Sequence, residues 1–117
     1  MVKDIEERTF DFALAIVELA QTLPRTEVAD ILMKQLLRSG ASVGANVEES
    51  HAGYSREEFS YKMNIALKEA REVHYWLRLI KQSGILKAER VDELLDEAEQ
   101  IKKILGSIVS KTRGKSK

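Results

Sequence analysis

Only at Glu48-x-x-His51 do a carboxylate and an imidazole fall one helical turn apart. That spacing is half of the element with which di-iron bundles hold metal, the other half and further glutamates coming from neighbouring helices. The second half is missing, because the only other histidine, His74, follows Arg71 by three residues, and that cation would repel a metal. A ligand- or metal-binding set would need Glu69 and Glu72 beside Glu48 and His51. The simpler account of His51 is a surface imidazole near a helix end, favoured there by the helix dipole. Nucleophilic catalysis has Ser39, Ser42 and two histidines to draw on, with no strand-to-helix elbow and no Ser/His/Asp constellation. Zero cysteines remove thiolate metal sites, a Cys nucleophile and disulfides together, which fits a reducing, cytoplasmic setting. The residues call for no cofactor, and the chain reads as a non-enzyme.

More unusual is the run from Arg38 to Glu49, RSGASVGANVEE. Gly40 and Gly44 stand four apart, as do Ala41 and Ala45, so one side of a helix there is nearly bare backbone. Two interior glycines cost about 1 kcal/mol each against alanine, which something must offset. Close packing of a neighbouring helix is the leading explanation; bulky aromatics such as Trp76, or a ligand, are the others. Beside the strip, Arg38, Ser42, Asn46 and Glu49 recur at steps of four, four and three and form one polar ridge. Lys62, Glu69, Glu72 and Tyr75 make a second. Such ridges are solvated, paired across an interface, or lining a pocket, and pairing suits these charges.

The elements that must position these residues are four amphipathic stretches. The first, about Ile5 to Gln21, is apolar over far more than the usual third of a helix circumference, so it has two faces to bury. Leu23-Pro24 ends it. The second starts behind Thr26 as N-cap, carries Val28, Ile31, Leu32, Leu36, Val43 and Val47, and stops at Gly53. The third opens with the capping box Ser55-Arg-Glu-Glu58, whose seam continues from Phe59 through Met63, Ala66, Ala70, Val73 and Leu77 to Ile80. Its steps of four and three favour shallow helix crossings. About 25 residues make it roughly 37 Å long, and Gly84 terminates it. The fourth, about Ala88 to Ser110, repeats the seam with Val91, Leu94, Leu95, Ala98, Ile101, Leu105 and Ile108, and is acidic early and basic late, in keeping with its dipole. The spacing predicts an all-α, up-down-up-down four-helix bundle over residues 1–110.

Composition agrees. The chain has 117 residues, one proline, seven aromatics, 44% hydrophobic and 32% charged residues, which suits one helical domain and excludes a turn-rich all-β fold. No signal core follows the N-terminus, and no window is apolar enough for a membrane span. The formal net charge of zero hides an asymmetry: residues 1–100 hold 13 bases and 19 acids, residues 101–117 six bases and no acid. Residues 111–117 read as a basic, disordered tail whose Lys111, Arg113, Lys115 and Lys117 could contact RNA phosphates. The acidic body is a poor general binder of nucleic acid.

The stretch from Gln35 to Glu49, followed by Phe59–Glu72 and Tyr75–Leu79, resembles the S23-type four-helix bundle proteins encoded by intervening sequences of bacterial 23S rRNA genes. The similarity runs from about Phe10 to Leu86. It implies a left-handed bundle that assembles into a ring-like homopentamer, an architecture shared with the basic accessory proteins of diversity-generating retroelements. Arg38, Ser42, Asn46 and Glu49 fall on the family's first polar motif, and Lys62, Glu69, Glu72 and Tyr75 on its second. The sequence therefore points to a self-assembling scaffold or adaptor, with an RNA or ribonucleoprotein partner and no membrane. The alternative is the metal- or ligand-binding bundle using Glu48, His51, Glu69 and Glu72.

Overall fold

The computed structural model describes residues 4–115, apart from the side chains of Ala88 and residues 113–115. Four helices follow one another, α1 (Ile5–Ala20), α2 (Glu27–Ala52), α3 (Arg56–Ser83) and α4 (Ala88–Lys115). Each packs on its neighbour in sequence, and α1 against α4 closes the up-down-up-down bundle, 48 × 26 × 24 Å in extent.

Side-chain caps set most helix starts. Asp4 Oδ1 accepts the Glu7 N–H at 2.8 Å, a cap the sequence reading passed over, and Thr26 Oγ1 accepts from Ala29 at 3.1 Å. Ser55 Oγ accepts from Glu58 N–H at 3.1 Å, but the Glu58 carboxylate reaches the Tyr54 N–H rather than that of Ser55. The expected box is thus closed one residue earlier. α1 stops at Ala20, ahead of Leu23-Pro24, where Thr22 Oγ1 donates to the Leu19 carbonyl at 2.7 Å. Gly84 takes the left-handed conformation, φ 75°, that ends α3.

The expected seams of α3 and α4 are buried, with only Phe59, Leu95 and Ile108 partly open. Two expectations need correction. Val28 and Ile31 lie 61% and 56% exposed, because the buried row of α2 runs through Ala29, Met33, Leu36, Gly40, Val43 and Val47 instead. α4 does not end near Ser110: it continues through Lys115, and Thr112 is buried with its hydroxyl donating to the Ile108 carbonyl at 2.8 Å. The helix thus takes in the first five residues of the basic stretch 111–117. On α1 one face is buried, through Thr9, Phe12, Ile16 and Leu19. Its other apolar face, Phe10, Leu14 and Val17, is 43–58% exposed in the single chain.

Candidate functional site

The two polar ridges meet along the α2–α3 seam. Arg38 Nη1 lies 3.2 Å from Glu69 Oε2, and Nη2 bonds Glu72 Oε1, which also accepts the Trp76 indole N–H at 3.3 Å. Glu69 is only 8% exposed, and a carboxylate that deep is costly unless paired, so the guanidinium fork answers a burial that the seam itself imposes. Three turns further along α2, Glu49 Oε2 meets Lys62 Nζ at 2.9 Å, an exposed contact that raises the lysine pKa chiefly through the hydrogen bond. Between these ion pairs Asn46 Nδ2 donates to the Ser42 carbonyl at 2.8 Å and to Ser42 Oγ at 3.0 Å, within α2. Tyr75 takes no part in the ladder; it is 49% exposed and meets Trp76 edge-on at 5.2 Å between centroids. Trp76 is the ladder residue that sequence reasoning left out; its spacing of four from Glu72 was the available signal.

The glycine strip faces α1. A Cβ on Gly40 would stand 2.5 Å from Ile16 Cδ1, and one on Gly44 3.3 Å from the Thr9 carbonyl oxygen. Helix packing therefore accounts for the bare backbone, with α1 as the neighbour rather than Trp76. At the open end of this contact His51 Nδ1 lies 2.8 Å from Glu6 Oε2, and Glu48 borders an acidic trough with Asp4, Glu6, Glu7, Phe10 and Asp11.

These positions dissolve the metal alternative. Glu48 and His51 lie on the α1 side of α2, while Glu69 and Glu72 are both taken by Arg38 on the α3 side. Among the described residues no group of three or more His, Asp or Glu side chains could hold a metal ion. Nor do the serines meet a base. Ser39 Oγ is buried and donates to the Gln35 carbonyl at 2.9 Å, and Ser42 is held by Asn46. His74 faces α4, its Nε2 3.3 Å from Glu99 Oε2, which also binds Lys102 at 2.9 Å. Burial first and the Lys102 charge second lower its pKa, with Arg78 adding to them, and together they outweigh the pull of Glu99 toward the imidazolium. The same lysine lowers the pKa of Glu99. Of the C-terminal bases, Lys111 is exposed on α4; the side chains of Arg113 and Lys115, and all of Lys117, lie outside the described residues.

The fold is an antiparallel four-helix bundle whose polar residues clamp its own helices rather than converge on an open centre. Residues 3–107 match the family described as 23S rRNA-intervening sequence protein, which spans most of the chain, and the protein belongs to that family. Among solved structures, a protein of unknown function from the S23 ribosomal protein family of Bacteroides thetaiotaomicron VPI-5482, determined at 1.70 Å, is similar at 37% identity. The match covers 91% of this chain and 98% of that one with a TM-score of 0.84. No curated protein matches. Among the described residues no helix is long and apolar enough to cross a membrane.

Proposed function

We propose that this protein is a non-enzymatic, self-assembling bundle that serves as a scaffold or adaptor. The observation that carries the reading is the exposed face of Phe10, Leu14 and Val17 at steps of four and three on α1. Three large apolar side chains in one row on a rigid helix are what a protein surface covers with another protein. Val28 and Ile31 supply a second exposed apolar edge on α2. At 100° per residue they stand about 160° and 140° around that helix from Gly44, which faces α1, so the two patches do not overlap. Two different patches on one chain make a head-to-tail contact, which closes into a ring when the rotation allows. Five copies is the number that the sequence resemblance implies.

An RNA or ribonucleoprotein partner would then meet several copies of each binding surface at once, which raises avidity without any new contact. The basic end of α4 with Lys111, followed by Arg113, Lys115 and Lys117, is one such surface. Light scattering on the purified protein tests the assembly. The expected mass is several times 13.3 kDa, and a clean monomer at working concentration would remove the reading.

A further inference from the structure

Opposite the buried seam of α3 runs a second row with the same alternating steps: Tyr61, Asn64, Lys68, Arg71, Tyr75, Arg78 and Gln82. Three bases, two tyrosines and two amides occupy it, and no acid; Glu57 continues the row one turn before Tyr61, and Glu72 flanks it beside Arg71. All but half-buried Asn64 are exposed, Tyr61 by 64%. The row spans 21 residues and so roughly 32 Å along a straight helix.

Past its first turn, the acids of α3 are drawn toward α2. Between Phe59 and Ser83 the helix carries five bases and two acids, and both acids, Glu69 and Glu72, are engaged by Arg38 on the α2 side. Lys62 and Lys81 are spent on Glu49 and Asp92. Among the described residues no carboxylate pairs with Lys68, Arg71 or Arg78; Arg78 instead lies 5.8 Å from the Tyr75 ring centre, and Lys62 stands 6.0 Å from that of Tyr61. The acidic balance of the body thus leaves one face of one helix basic.

We infer that this outer face of α3 is a binding track for single-stranded nucleic acid, with Lys68, Arg71 and Arg78 on phosphates and Tyr61 and Tyr75 as stacking platforms for unpaired bases. Unpaired cations beside exposed aromatic rings are the pairing that sequence-tolerant single-strand binders use. An anionic membrane would ask for large aliphatic side chains along the row, which has none. A binding partner made only of acidic side chains would leave the two tyrosine faces without a role. The inference rests on the RNA partner of the reading above, but places the contact on α3 instead of the end of α4.

Fluorescence anisotropy of labelled oligouridylate and oligothymidylate against the full-length protein, over a range of KCl concentrations, tests it. Binding at low salt is expected, with the triple variant K68A/R71A/R78A losing about tenfold or more and its log–log salt slope shrinking by roughly 2, near 0.7 per lost phosphate contact. The pair Tyr61→Ala and Tyr75→Ala is expected to lose about tenfold, and the pair Tyr61→Phe and Tyr75→Phe, which keeps both rings, to retain affinity. Circular dichroism melting and light scattering on each variant separate loss of binding from loss of fold or assembly.

Undiminished binding by the triple variant, with loss on Lys111→Gln, Arg113→Gln, Lys115→Gln and Lys117→Gln, would overturn the α3 track and leave the RNA reading standing. No binding of either oligomer at low salt would overturn both. Equal capture by anionic phosphatidylserine vesicles or by polyglutamate would show a surface that reads charge alone, and would also overturn it.

Discussion

Arg38 holds the only deeply placed carboxylate of the described residues, and its half-exposed position makes it replaceable in principle by any cation that reaches. Lysine reaches with a point charge and cannot fork over two carboxylates. Arg38→Ala is expected to cost about 1–3 kcal/mol of unfolding free energy, because Glu69 stays buried without its partner. Arg38→Lys should recover only part of that, and urea unfolding at neutral pH reads both. His74 gives a pH dependence of fixed sign. Its folded pKa lies below the unfolded value, so the unfolded chain binds the proton first, and stability falls as pH drops below the unfolded value of about 6.5 toward the lower folded one. The depressed Glu99 acts in the same direction at lower pH. Melting curves from neutral to mildly acid pH should therefore decline, and His74→Gln should flatten the upper part of that decline; a rise on acidification would show that the Glu99 contact dominates instead. Pairing was legible from the ridges, since arginine and glutamates at helical spacing must either face water or each other. Which carboxylate is buried was not, because that depends on the depth of the α2–α3 seam.

At the scale of the helices, the seams were legible where large side chains mark them, as on α3 and α4. α2 misled because its buried row is partly small: Ala29, Gly40 and Gly44 carry little hydrophobic weight, while Val28 and Ile31 do and lie outside. The glycines instead set how closely α1 approaches. Gly40→Ala places a methyl against Ile16 Cδ1, whereas in an Ile16→Val background that atom is gone. A double-mutant cycle is expected to show favourable coupling: the alanine should approach its helix-propensity gain of about 1 kcal/mol beside the valine, and lose most of it beside isoleucine. Gly44 has less room to adjust, since its neighbour is the Thr9 backbone, so Gly44→Val should destabilise by about 1–3 kcal/mol in the same melts. The end of α4 was misread because apolar residues thin out after Val109 and no proline or glycine appears before Gly114 to mark a true stop. Thr112 continues the helix by burying a hydroxyl whose hydrogen bond is already made to Ile108, a signal that composition does not carry. Removing residues 111–117 would consequently disturb packing as well as charge, and glutamine substitutions are the cleaner probe of the C-terminal bases.

The whole molecule hides one face of α1 within its own bundle and leaves the other apolar, with a second apolar edge on α2 turned elsewhere. The surplus greasy circumference of residues 10–20 was legible in the sequence as a count; that it forms one clean row, separate from the buried Phe12, Ile16 and Leu19, required the structure. A head-to-tail contact between the two patches makes a demand that a two-fold contact does not. Spoiling the α1 row in one copy and the α2 edge in another leaves each copy with one intact and complementary patch. The decisive measurement is the solution mass, by sedimentation velocity, of the unaltered chain, Leu14→Glu, Ile31→Glu and an equimolar mixture of the two variants. The account expects an oligomer for the unaltered chain, monomers for each variant alone, and heterodimers that go no further for the mixture; a monomeric unaltered chain, or variants that assemble as it does, would contradict it.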